Sequence, residues 1–134
     1  MSDNNVTLSG NVTRTPEMKF LSSGHAVVKF SLAHNNKWKD KSGDWQERVS
    51  FFEVQAFGPL AENIANSIDK GTRVIVSGRI EQRSWETEDG SKRSVVEINA
   101  DEVAPSLRFA TAVVTKREKA APAPAFLDDG EDPF

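Results

Sequence analysis

The chain contains no cysteine, which removes disulfides, Cys–zinc sites and thiol nucleophiles together and points to a cytoplasmic setting. Tyrosine is absent too, and the only histidines are His25 and His34, set nine positions apart among small or polar neighbours. No H-E-x-x-H, G-x-S-x-G, P-loop or G-x-G-x-x-G pattern occurs. Nothing therefore nominates a nucleophile, a general base or a metal set, so no enzyme, cofactor or metal is expected. No stretch approaches the ~18 to 20 apolar residues of a membrane helix. The opening MSDNNVTLSG has neither a basic nor an apolar region of the kind a secretory signal needs. Excess positive charge is lacking as well: 17 Lys and Arg stand against 20 Asp and Glu, a net charge of −3. An acidic total counts against a nucleic-acid binder. Four of those acids, however, are Asp128, Asp129, Glu131 and Asp132 in the last nine residues, which leaves 17 basic and 16 acidic groups over 1–125. The body is near neutral, and local geometry decides.

What is present is alternation. Val6, Leu8 and Val12 alternate with Thr7, Ser9 and Thr13; Val28, Phe30 and Leu32 with Lys29, Ser31 and Ala33; Phe52, Val54 and Ala56 with Phe51, Glu53 and Gln55. Val74, Val76 and Ile80 alternate with Arg73, Ser77 and Arg79, and Val96, Ile98 and Ala100 with Val95, Glu97 and Asn99. Period-2 patterning over five segments predicts five half-buried strands. Turn residues at Ser23-Gly24, Lys41 to Asp44 and Asp89-Gly90 separate them. One helix is expected between the third and fourth strands. Gly58-Pro59 would open it, Leu60, Ile64 and Ile68 would form its apolar stripe, and Lys70-Gly71 would close it with a basic last turn. The order β-β-β-α-β-β is that of an all-β five-stranded Greek-key OB barrel with one short helix. A small mixed α+β sandwich is the duller alternative.

Three units are expected: a barrel domain over 1–115, an Ala/Pro-rich linker over 116–125, and an acidic tip over 126–134. Leu107–Thr115 reads as an extra C-terminal strand, either a sixth strand on the same barrel or an arm that pairs with another subunit. The linker KREKAAPAPA buries little and spans about 30 Å in polyproline II geometry. The tail is expected to be disordered. It is a solubility device or a linear motif whose terminal Phe134 fills an apolar pocket while Asp128, Asp129, Glu131 and Asp132, beside Pro133, meet a basic rim.

The aromatics carry the functional signal. Phe51 and Phe57 share parity with Glu53 and Gln55, on the face that should meet water. Trp85 shares parity with Arg73, Arg79 and Arg83. Trp38 lies among Lys37, Lys39 and Lys41; its parity is that of the core, but a strand this long is expected to bend or bulge before its end. Rings interleaved with cations are what single-stranded nucleic acid requires, bases stacking on the rings while phosphates follow the charge. The bland alternative is that surface rings merely cover the barrel. Trp45 stands between a packing residue at the loop tip and an extra base platform. Asp40 to Asp44 has the wrong spacing for a calcium loop and is expected to be a hairpin turn.

Several segments, in order, resemble the bacterial single-stranded DNA-binding proteins: NVTLSGNVTRTPE, FSLAHNNKWKDK, FFEVQAFGPLAENIANSIDKGTRVIVSGRIEQRSW and the tip DDGEDPF. DEVAPSLRFATAVV is similar to the actinobacterial branch, where this segment clasps two subunits. The resemblance implies an OB fold, a homotetramer and sequence-independent binding of single-stranded DNA in replication, recombination and repair. It implies nucleoid association, no membrane, and recruitment of other proteins by the tip. By position, Trp38, Phe51, Phe57 and Trp85 would stack bases, while Lys37, Lys39, Lys41, Lys70, Arg73, Arg79 and Arg83 would track phosphates. Phe51 replaces the Trp usual in the best-known members, and Glu53, Pro59 and Glu81 stand where some members carry basic residues. An OB-fold RNA-binding protein, or an adaptor that displays its C-terminal peptide, are the competing functions.

Overall fold

A computed structural model describes residues 3–117. Six strands and one helix follow in the order β1 (Val6–Val12), β2 (Glu17–Phe20), β3 (Ala26–Lys39), β4 (Trp45–Phe57), α1 (Pro59–Ser67), β5 (Arg73–Glu86) and β6 (Lys92–Pro105). Pairing runs β1-β5-β6-β4-β3, and β1 also pairs with β3, so five strands close into a barrel. The β4–β6 pairing is parallel and short, Glu53 to Gln55 against Glu97 to Asn99; the others are antiparallel. This is the OB arrangement that the alternation predicts, and the mixed sandwich is set aside.

The alternating residues fill the barrel. Val28, Phe30, Leu32, Val54, Ala56, Val74, Val76 and Ile98 are buried together, capped by Ala61, Ile64 and Ile68. Closure depends on two glycines that admit a neighbouring backbone. A Cβ on Gly10 would lie 2.4 Å from the Ala33 carbonyl oxygen, where β1 meets β3. One on Gly78 would lie 2.1 Å from the Asn99 carbonyl oxygen, beside the register shift at Ser77/Gly78 that bends the β5–β6 pair.

Beyond the barrel both long hairpins continue as arms. One is Asn35 to Lys39 with Trp45 to Val49, the other Glu81 to Glu86 with Lys92 to Glu97. Core side chains thin out toward and along them, so Ile80 at the root of the second arm and Val96 on it, both at core parity, are exposed.

Three expectations are corrected. The sixth strand is β2, not Leu107–Thr115, which forms no strand in the single chain. All four residues of β2 are exposed, and its alternation of Glu17 and Lys19 with Met18 and Phe20 spans only four residues. Residues 107–117 run back to α1 instead, where the Arg117 guanidinium donates to the Pro59 carbonyl, Asn63 and Glu62. The helix ends at Ser67 without a basic last turn: Ile68 donates its N–H to the Ile64 carbonyl and then turns extended, which buries its side chain. The β3–β4 register contains no bulge and runs unbroken from Val27↔Phe57 to Lys39↔Trp45. The linker beyond Arg117 and the acidic tip, Asp128 to Phe134, lie outside the described residues.

Candidate nucleic-acid interface

The outer face of the barrel can be read row by row from the strand register. Gln55 pairs with Asn99 and Arg79 with Asn99; Glu53 pairs with Glu97 and Glu81 with Glu97. Above these rows stand Phe51 on β4 and Arg83 and Trp85 on β5, with Phe57 at the other end of β4. Period-2 geometry points all of these side chains outward. Phe51, Phe57 and Trp85 are exposed, which uncharged packing alone would not favour for three large rings on one face.

Each of the three tryptophans carries a cation against its ring. Arg83 Cζ lies 4.9 Å from the Trp85 ring centroid, Lys39 Nζ 5.5 Å from that of Trp45, and Arg48 Cζ 5.8 Å from that of Trp38. Such contacts contribute roughly 0.5–1 kcal/mol at exposed sites. They leave positive charge beside a ring that can still stack on a base, the pairing a single strand exploits.

The hairpin arms place Trp38 and Trp45 by register. Trp45 shares the face of Phe51 and Phe57, is 68% exposed, and lines an open cleft of about 460 Å³ with Lys37, Gln46 and Glu47. This favours the platform role over packing at the loop tip. Trp38 keeps the parity of Phe30 and Leu32 and so lies on the other side of the arm. The arm turns at Asp40, which accepts from the Ser42 and Asp44 amides at 2.9 Å and from Gln46 Nε2 at 3.0 Å, with Gly43 at φ +85°. The Asp44 amide and then the Gln46 side chain hold the Asp40 carboxyl below its ordinary value of 3.8. This is a hairpin turn, as expected. No group of three or more metal-ligating side chains is found among the described residues.

The expected phosphate track divides. Lys37 and Lys39 lie on the β3–β4 arm, Lys41 at its turn, and Arg79 and Arg83 on β5 toward Trp85. Arg83 is already paired with Glu97 at 3.3 Å. Arg73 starts β5, twelve residues and roughly 40 Å of strand from Trp85. It donates to Ser9 Oγ at 3.3 Å, lies 5.8 Å from the Phe109 ring, and has a buried Nε with no partner among the described residues. Lys70 precedes it in the α1–β5 connection. Arg73 is thus remote from Trp85, but it lines a cleft at the root of the β3–β4 arm with His34, Asn35 and Lys37.

The comparisons with known proteins agree with this geometry. Residues 3–106 match the model of the single-strand binding protein family. The chain belongs to that family. It is 46% identical over 119 residues to a single-stranded DNA-binding protein of Mycobacterium leprae, covering 87% of this chain and 71% of that one. Against the protein of the same description from Mycobacterium tuberculosis strain H37Rv it is 41% identical over 143 residues, covering 98% and 87%. Among solved structures it resembles the small single-stranded DNA-binding protein of Streptomyces coelicolor (TM-score 0.66, 31% identity, 80% of this chain and 97% of that one). It also resembles a Plasmodium falciparum protein of this family in complex with single-stranded DNA (TM-score 0.72, 25% identity, 79% and 97%).

Within the family frame, sequence reasoning missed Arg48 and Glu97. Arg48 pairs with Asn36 and so lies diagonal to Trp38, a relation visible only after the hairpin is registered on the Asp40–Asp44 turn. Glu97 looked like one more polar residue of an alternating strand, yet it is 8% exposed.

Proposed function

We propose that this member of the single-strand binding protein family binds single-stranded DNA without sequence preference, as a binding protein rather than an enzyme. The observation that carries it is the set of exposed rings, Trp38, Trp45, Phe51, Phe57 and Trp85, with a cation against each indole. Rings take bases of any identity, because every base has a π-face. Lys37, Lys39, Lys41 and Arg79 follow the phosphates, and Arg83 acts beside Trp85. Arg73 would serve a strand that enters the cleft it shares with Lys37, and Lys70 one that continues past the start of β5. The domain over 1–115, the barrel with the segment that follows it, is the DNA-binding unit, 116–125 the spacer, and 126–134 a peptide that recruits replication, recombination and repair proteins in the nucleoid.

The assembly we propose is a homotetramer. It is supported by apolar side chains on residues 107–115 that stand exposed among the described residues, Val113 being 95% and Val114 87% exposed. A second subunit is the natural cover for such a segment. No helix among the described residues is long and apolar enough to cross a membrane.

Titration of the full chain with a dT oligonucleotide, read by tryptophan fluorescence, tests the proposal. Strong quenching and tight binding are expected. A matched RNA is expected to bind more weakly, and equal or tighter RNA binding would favour the RNA-binding alternative. No binding to any oligonucleotide at low salt would leave the adaptor reading in its place.

A further inference from the structure

We propose that Glu97 is a positioning residue for the Trp85 platform, acting through Arg83. The inference deepens the DNA-binding proposal and rests on it for its affinity readout. Glu97 belongs to the outward face of β6, where a carboxylate is ordinarily solvated, yet it is 8% exposed. Its two oxygens take the Arg83 guanidinium as a fork: Nε donates to Oε1 at 3.5 Å and Nη2 to Oε2 at 3.3 Å. The same guanidinium lies 4.9 Å from the Trp85 centroid. One guanidinium is therefore held through its nitrogens by a carboxylate while its central carbon lies over an indole.

The neighbours explain why the cation stays. Glu53 on β4 and Glu81 on β5 are both register partners of Glu97, so three carboxylates form one row across adjacent strands. Arg83 is a cation bonded to that row, and its partner Glu97 is the buried member. Leaving a buried carboxylate unpaired is costly, so Arg83 is held to Glu97 and not released to solvent. The indole then lies on a fixed surface and keeps one orientation for an incoming base. Lysine could not replace Arg83 here, since it lacks the fork that joins Glu97.

The proposal reverses the sign that simple electrostatics predicts. Removing a carboxylate from a surface that meets a polyanion should tighten binding. If Glu97 acts by positioning, Glu97→Gln instead weakens it. The experiment uses the full chain labelled with 5-fluorotryptophan, its three ¹⁹F lines assigned through single Trp→Phe variants, together with affinity for a dT oligonucleotide. In free protein, Glu97→Gln and Arg83→Lys should each move or broaden the Trp85 line and leave those of Trp38 and Trp45 in place. Each should lower dT affinity about three- to tenfold, and the double variant no further, as expected for residues acting as one unit. An unmoved Trp85 line in both variants overturns the proposal, as does tighter binding by Glu97→Gln with that line unchanged. Should Glu97→Gln fold poorly, Arg83→Lys alone decides, because it keeps the charge and removes only the geometry. Should the parent protein bind no DNA, the functional proposal fails, while the ¹⁹F line of the free protein still decides whether Glu97 positions Trp85.

Discussion

Trp38 and Trp45 stand on opposite faces of one hairpin arm. Trp45 is the register partner of Lys39 and Trp38 that of Gln46, so the two indoles are one step out of phase across the same ladder. A single strand that follows the arm and wraps its edge would meet one ring on each side. Trp45→Ala and Trp38→Ala should therefore each cost about 1–3 kcal/mol of binding to dT oligonucleotides. Fluorescence or calorimetric titration checks this, and an unchanged affinity in Trp45→Ala would return that ring to packing at the loop tip.

The cations should separate into those that meet phosphate and those that hold the protein together. Arg79 is exposed on the outer face, whereas Arg73 is engaged with Ser9 and Phe109. For single strands each neutralised phosphate adds about −0.7 to the log–log salt slope. Arg79→Ala should flatten the slope by about that amount with short oligonucleotides confined to the arms. Arg73→Ala should leave that slope unchanged and lower thermal stability instead. Equal slope changes in both would mean that the cleft Arg73 shares with Lys37 also takes phosphate.

The hairpin tip should respond to acid in a defined direction. Hydrogen bonds from the Asp44 amide first and the Gln46 side chain second lower the Asp40 carboxyl below 3.8. A folded value below the unfolded one adds stability that is present above pH 3.8 and is lost as pH falls through the lower folded value. The second turn behaves alike, with Asp89 lowered first by the Thr87 hydroxyl and then by the Ser91 amide. Amide shifts of Ser42, Asp44 and Ser91 followed by NMR should hold steady down to about pH 4 and move together below it. In Asp40→Asn the Ser42 and Asp44 transitions should vanish while that of Ser91 remains.

Barrel closure gives a stability prediction. A methyl group at residue 78 would press on the Asn99 carbonyl and on Ala100 Cα, 2.1 Å and 2.8 Å away, with only backbone to yield. Gly78→Ala should destabilise the barrel by about 1–3 kcal/mol in denaturant melts. Gly43→Ala, at a solvent-facing turn with no atom within 4 Å, should show only the milder cost of its positive φ.

Legibility in the sequence follows burial. Phe30, Leu32, Val54 and Val76 announced their strands because one face is core and the next is not, and all four are buried. Gly58-Pro59 announced the helix because Gly58 takes φ +72° and proline fits the first turn. The helix end was hidden because Ile68 continues the four-residue repeat of Leu60 and Ile64 while reaching the core from extended backbone. β2 was hidden because its alternation, Met18 and Phe20 against Glu17 and Lys19, lasts only four residues and serves no buried face. At the interface, the exposed rings were legible as misplaced aromatics. The side of the arm on which Trp45 lies, Arg48 across from Trp38, and Glu97 beneath Arg83 were not, because each depends on register between strands distant in sequence.

The end of the barrel sets the last test. β6 runs to Pro105, and Ser106 still donates its N–H to the Arg73 carbonyl, so the smallest intact barrel stops at Ser106. Beyond it, Leu107, Phe109, Val113 and Val114 are exposed, and Arg117 ties the segment to α1 at 2.6–3.3 Å through Glu62, Asn63 and the Pro59 carbonyl. Truncation after Arg117 removes the linker and the acidic tip and keeps this strap. It should leave the solution mass a multiple of the chain and leave dT affinity equal or slightly higher, most visibly at low salt, where an acidic tail competes best. The same truncation should abolish capture of partner proteins by the tip, and Phe134→Ala should do most of that damage alone. Truncation after Ser106 keeps the folded barrel and removes the apolar strap. If the strap joins subunits, the mass should fall toward smaller species on dilution, whereas Arg117→Ala should leave the mass unchanged because its three contacts lie within its own chain. An equally stable assembly after truncation at Ser106 would place the subunit contacts on the barrel alone.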